Sequence, residues 1–164
     1  MKQFRVLRAV GAASEKSMRV LAILTIALSL PAFAVLGGDA SSVQSDQARM
    51  KGSLRSMQKT AYAVHQITAA TGTVVREYVS SNGKVFGVAW QGPFVPDLQQ
   101  LLGTYFDQYS KGAKEAREAH VGRRPLSLQQ PGLVVQTGGH MRSYSGRAYV
   151  PGMLPQGVNA DDIR

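Results

Sequence analysis

The chain of 164 residues contains no cysteine. That absence removes disulfide stapling, thiolate catalysis, thiol-linked lipid and Cys-ligated metal together, so a folded domain here must be held by its apolar core. A membrane-spanning stretch is lacking too: the apolar run Val20 to Leu30 has eleven residues, where a spanning helix needs roughly 20. There is no G-x-S-x-G to raise a nucleophilic serine, and no G-x-G-x-x-G or phosphate-binding loop, so no nucleotide cofactor is expected. The three histidines, His65, His120 and His140, share no metal-ligand spacing and there is no H-E-x-x-H, so no metal and no other cofactor is expected.

Charge is present but unevenly placed. The formal net charge is +9, and Lys2, Arg5, Arg8, Lys16 and Arg19 supply much of it against Glu15 alone. Those charges form the basic n-region of an export signal. The apolar run VLAILTIALSL follows, then Pro31 and Ala32-Phe33-Ala34, an A-x-A cleavage pattern that leaves Val35 as the first mature residue. Residues 1–34 are therefore expected to be a cleavable signal, with Met1 or Met18 as initiator, and the mature protein to be periplasmic or extracellular. The remaining 130 residues carry a smaller, dispersed excess of basic charge. They lack the concentrated basic face of a nucleic-acid binder, and no transmembrane span remains after cleavage.

One domain is expected for 35–164. It is organised around Thr73 to Gln91, TVVREYVSSNGKVFGVAWQ, two apolar-rich runs joined at Asn82-Gly83, the pair best suited to a two-residue hairpin turn with positive φ at both positions. A turn of that length pairs Val79 with Phe86, Glu77 with Val88 and Val75 with Trp90. One face then reads Val75, Glu77, Val79, Phe86, Val88, Trp90, an apolar surface with one carboxylate in it. The other carries Arg76 and Tyr78 opposite small residues that admit another element, which marks both as candidate binding residues.

Ser41 and Gln44 make a capping box, and Val43, Gln47, Met50, Leu54 and Met57 share a helical stripe, so a helix is expected over 42–57. Thr60 to Thr68 alternates as a strand, with Thr68 expected opposite Thr73 and His65 opposite Arg76. Pro96-Asp97 opens a second helix bearing Leu98, Leu101, Leu102, Tyr105 and Tyr109, ending near Ser110. The spacing of Trp90, Phe94, Tyr105 and Tyr109 fits core packing better than a pocket lining. Residues 111–124 read as a charged, solvated loop in which Lys114 and Glu118 have i,i+4 spacing. Leu133 to Val135 is a short strand, Gly138-Gly139 a second turn, and 151–164, with two prolines, an irregular strap. The fold expected is α+β, an antiparallel meander of four to five strands packed with two amphipathic helices.

The mature start LGGDA, the run GTVVREYVSSNGKVFGVAWQGPFVPDLQQLLGTYFDQY and the later GGHMRSYSGRAYVPGMLP resemble a family of small secreted proteobacterial proteins known as domain of unknown function 2844. The resemblance covers essentially the whole mature chain. It implies export and a bacterial source, and it implies no catalytic residues.

Glu77 is the residue with the most chemical promise, because a carboxylate on an apolar face has a raised pKa unless it is paired. The function expected is a non-catalytic binding or interaction module of the bacterial envelope, with an envelope protein or an anionic envelope polymer as partner. Two alternatives stand beside it. One is a small hydrolase-like enzyme using Glu77 with His65 or His140. The other is a binder of anionic polysaccharide or lipid headgroups through Arg117, Arg123 and Arg124.

Overall fold

The structure is a computed structural model that describes residues 36–119 and 125–164. The segment 1–34, expected to be an export signal, and His120, Arg123 and Arg124 lie outside the described residues. Seven strands form one antiparallel sheet: β1 (Ser53–Gln58), β2 (Tyr62–Thr68), β3 (Val74–Ser80), β4 (Val85–Gly92), β5 (Leu126–Gln130), β6 (Leu133–His140) and β7 (Ser143–Tyr149). Their order is β1-β2-β3-β4-β7-β6-β5. The class is α+β as expected, but the sheet has seven strands where the sequence pointed to four or five.

The two extra strands come from segments whose local signals point elsewhere. The expected helix over 42–57 is confined to α1 (Val43–Arg49), after which Lys51 takes a left-handed φ of 47° and β1 begins. Gly52 decides this break. A Cβ there would stand 2.7 Å from the carbonyl oxygen of Thr68, so the chain passes against β2 instead of continuing as a helix. Residues Leu126 to Gln130, adjacent to the charged segment, form the edge strand β5, turned back at Pro131-Gly132 where Gly132 has φ 76°. Gly138-Gly139 is not a turn but part of β6; the chain reverses at Met141-Arg142, with Arg142 at φ 62°.

The central hairpin differs from the expected one by a single residue. Only Gly83 has positive φ, at 78°, and Gly83 N–H donates to the Ser80 carbonyl, so the loop has three residues, a turn followed by a left-handed glycine. The extra residue is absorbed by a bulge at Tyr78/Val79. Val79 therefore faces Val85, and Phe86 moves to the other side of the sheet. The β2–β3 loop is also longer than expected. Thr68 pairs with Val74 and His65 with Glu77, one residue from the expected register, which sets His65 on the Glu77 face.

One face of the sheet carries the main core, Ile67, Val75, Val79, Val85, Val88, Trp90, Val135 and Ala148, covered by Leu36, Val43, Leu101 and Leu102. The second helix is split into α2 (Leu98–Leu102) and α3 (Phe106–Glu118) around Gly103, whose φ 49° and ψ −117° suit glycine alone. Helix α3 runs through Lys111 to Glu118, the stretch expected to be a solvated loop, because Gly112 and Ala113 bury against β5; a Cβ on Gly112 would be 2.9 Å from Gln130 Nε2. Lys114 and Glu118 form the i,i+4 pair at 3.8 Å. Phe94, expected in the core, is 58% exposed, because Gly92 and the prolines lift the loop off the sheet end. On the opposite face Val64, Tyr78, Phe86 and Ala89 pack under Ile163, Leu154 and Val158 of the segment after β7. No helix among the described residues is long and apolar enough to cross a membrane.

Candidate functional site

Direct cross-strand partners point to one face, so the registers define rows that cross the sheet. On the helix-covered face one row reads Ser56, His65, Glu77, Val88, Ala148, Val135, Leu128. Glu77 lies in its apolar middle, 1% exposed, and meets Asp46 of α1, which is fully buried. Gln100 of α2 donates its amide to Asp46 Oδ1. If both acids were ionised, Asp46 Oδ2 and both Glu77 oxygens would have no donor at all. A proton on one carboxyl lets it donate to the other, and this protonation is the one that burial favours. Desolvation first, then the facing Asp46, pushes Glu77 up to about 9, and desolvation likewise lifts Asp46 to about 6. The sequence reading did not pair Asp46 with Glu77, since 31 positions separate the two, although Asp46, three residues after Val43 and four before Met50, flanks the apolar stripe of the helix expected there, and that placement is the signal that could have found it.

The same row brings Ser56, His65 and Glu77 side by side. Ser56 Oγ lies 2.8 Å from His65 Nδ1. The order resembles an acyl-transfer triad, but the connections differ, because in such triads Nδ1 is the nitrogen held by the carboxylate, whereas here Nδ1 meets Ser56 Oγ and Glu77 faces Asp46. His65, half-buried, has its pKa lowered by desolvation. His140 sits exposed at the end of β6, its Nδ1 3.3 Å from the Met141 carbonyl oxygen, away from Glu77. Two S-x-x-K spacings, Ser56 to Lys59 and Ser81 to Lys84, bring serine and lysine onto one face only in a helix. Here the first starts on a strand, and the second spans the hairpin turn, with Lys84 paired to Asp39 at 2.8 Å.

The opposite face carries two polar rows. The first crosses all seven strands as Arg55, Gln66, Arg76, Ala89, Arg147, Gln136, Ser127. Within it Arg76 donates to Gln66 Oε1 at 3.1 Å and Arg147 to Gln136 Oε1 at 2.7 Å. The second runs Ser53, Thr68, Val74, Gln91, Ser145, Gly138. The final segment of the chain lies across the middle of this face. Arg147 donates to the carbonyls of Ala160, at 2.7 Å, and Ile163, at 3.3 Å, and pairs with Asp161 at 3.4 Å. Arg76 and Tyr78, singled out as binding residues, both reach the Arg164 carbonyl, at 3.4 and 2.7 Å. In this structure they hold the chain's own tail.

Beside the tail, over β4, β7, β6 and β5, the two rows remain open as a groove of about 570 Å³. Gln91, Ser127, Gln136, Ser145, Arg147 and Arg164 line it, Gly138 leaves its floor flat, and no acidic side chain lies among its lining residues. On the other face of the sheet the Trp90 ring rests on Gly146, where a Cβ would come within 2.2 Å of the ring. A second hollow of about 480 Å³ lies between the turns after α1 and β2 and the loop before α2, where Phe94 and Val95 are exposed and Lys51 and Asp97 bring opposite charges. Among the described residues no three His, Asp or Glu side chains gather as a metal site.

The chain matches, over residues 32–163, the family described as "Protein of unknown function (DUF2844)". It belongs to that family. No curated protein and no solved structure matches it. Family membership thus carries no reaction, and the chemistry of this DUF2844 chain has to be argued from its own side chains.

Proposed function

We propose that this DUF2844 protein is an exported, non-catalytic binding module whose ligand seat is the polar groove over β4, β7, β6 and β5. The observation that supports this reading most is the composition of that groove: amides, hydroxyls and guanidinium groups on a rigid sheet, with glycine leaving room for a ligand where side chains would otherwise stand. Its volume of about 570 Å³ falls in the range of about 300–1,000 Å³ of small-molecule sites. The most perturbed titratable groups, Asp46 and Glu77, lie on the other face, sealed in the core, and satisfy one another when a proton is shared. Their placement favours a structural role over acid–base work on a substrate.

Export rests on the basic start, the short apolar run and the A-x-A pattern. Fractionation of the native host followed by N-terminal mass spectrometry tests it: a mature chain beginning at Val35 outside the cytoplasm is expected, and a cytoplasmic chain retaining residues 1–34 rules it out. The binding reading is tested with Ser145→Trp, which fills the groove from an exposed strand position. Native and variant proteins, compared for what they retain from fractionated envelope polymers and small molecules, should differ. Identical retention by the two would remove the groove from any role in binding.

A further inference from the structure

We infer that the groove over β4, β7, β6 and β5 seats a short acidic oligosaccharide, a chain of sugar rings bearing carboxylates. This rests on the groove being the binding seat proposed above. Three features of the site point to that chemistry. First, the polar side chains that line it are hydrogen-bonding amides and hydroxyls, Gln91, Gln136, Ser127 and Ser145. Side-chain amides offer donors and acceptors together, and hydroxyls do the same, which matches the paired donor and acceptor character of vicinal sugar hydroxyls.

Second, the charge has one sign. Arg147 and Arg164 line the groove and no acidic side chain does. Arg147 already spends part of its guanidinium on Asp161 and on the tail carbonyls, so its field is partly offset and Arg164 supplies the rest. A fork of guanidinium donors pairs with a planar carboxylate better than with a neutral hydroxyl.

Third, the dimensions suit a chain rather than a single ring. Neighbouring strands lie ~4.8 Å apart, so the rows from β4 to β5 extend ~14 Å, enough for roughly three linked pyranose rings laid across the strands. Gly138, in the row of Gln91 and Ser145, keeps this path free of a side chain, whereas the missing side chain of Gly146 belongs to the other face, where the Trp90 ring stands. The tail bounds the groove on one side through Arg164.

The test uses the full chain with two probes of equal length, trigalacturonic acid and its neutral counterpart galactotriose, titrated at about 0.15 M salt, where charges more than about 8 Å apart are largely screened and direct contacts remain. Amide chemical shifts and calorimetry are the readouts. The acid trimer should shift the amides of Gln136, Gly138 and Ser145 saturably and bind at least ten-fold more tightly than the neutral trimer. Gln136→Ala and Arg164→Gln should each weaken it several-fold, and Ser145→Trp should abolish it; a dispersed amide spectrum for Gln136→Ala keeps the test valid if the tryptophan variant does not fold. Equal affinity for the two trimers would overturn the acidic part. Acid binding that Ser145→Trp leaves untouched would overturn the location. If neither trimer shifts a groove amide, the oligosaccharide inference is lost. The retention difference between native protein and Ser145→Trp then decides separately whether the groove still serves another ligand.

Discussion

Asp46 of α1 and Glu77 of β3 meet as a carboxyl pair inside the core, one fully buried and the other 1% exposed, with Gln100 as the neighbouring donor. The pair joins three elements at one point: the first helix, the central hairpin and the second helix. Because the pair is held together by a proton, the attachment of α1 to the sheet depends on pH.

The sign follows from linkage. Glu77 is raised from 4.5 to about 9 and Asp46 from 3.8 to about 6. The unfolded chain releases both protons near pH 4, whereas the folded chain keeps them to higher pH, so the folded state binds more protons in between and stability falls as pH rises. The protein should be most stable below about pH 4.5 and lose stability progressively toward pH 9, apart from the ordinary acid response of its other carboxylates. Glu77→Gln, a neutral isostere, should flatten this slope and gain about 1 kcal/mol or more at pH 8. Urea unfolding at pH 5 and pH 8 checks it, and a native profile that rises over that interval contradicts the shared proton.

Trp90 is the chain's one tryptophan and packs directly on Gly146. Gly146→Ala places a methyl group within 2.2 Å of the ring, a clash that requires the indole or β7 to move. A loss of about 1–3 kcal/mol is expected, with a shifted Trp90 emission maximum in the folded state. Unchanged emission and unchanged stability would mean that the ring does not rest on β7.

Ile163 anchors the tail over Gly87 and is completely buried. Ile163→Ala should cost about 2–4 kcal/mol and make residues after Tyr149 the first site of limited proteolysis. Tyr78→Phe, which removes the hydroxyl bonded to the Arg164 carbonyl, should act in the same direction by about 1 kcal/mol. Cleavage that begins elsewhere would show that the arginine row does not hold the tail.

Ser56 and His65 lie at the exposed edge of the sheet, joined by one hydrogen bond. Ser56→Ala should change stability by less than about 0.5 kcal/mol and leave hydrolysis of activated esters at the level of the unaltered protein. Ester turnover that Ser56→Ala and Glu77→Gln both abolish, with the fold kept, would instead establish the hydrolase alternative.

Much of the hairpin was legible from local pattern. Alternation of Val75, Glu77 and Val79 against Val88 and Trp90 fixes which residues share the core face, and side-chain period two does so without any knowledge of the rest of the chain. The pair Glu77 with Val88, the burial of that carboxylate, the i,i+4 contact of Lys114 with Glu118 and the α+β class all follow from such short-range rules. Three of the misreadings share a cause. Gly52, Gly112 and Gly138 look like helix breakers or turn formers locally, yet each serves a close approach to a distant segment: Thr68, Gln130 and Pro125. A glycine's missing side chain records that something passes there, but not what passes.

The candidate site belongs to that second kind of information. The sequence by itself determined that the domain must be held without disulfides and that one carboxylate would be buried, because composition and alternation act within a few residues of each position. Tertiary structure alone decided that Asp46 is the buried carboxylate's partner, that Arg76 and Arg147 hold the tail, and that Gln91, Gln136 and Ser145 face one groove. Those meetings depend on the strand order β3-β4-β7-β6 and on registers set by a bulge and by loop lengths, and a shift of one residue in any of them would send the same side chains to opposite faces.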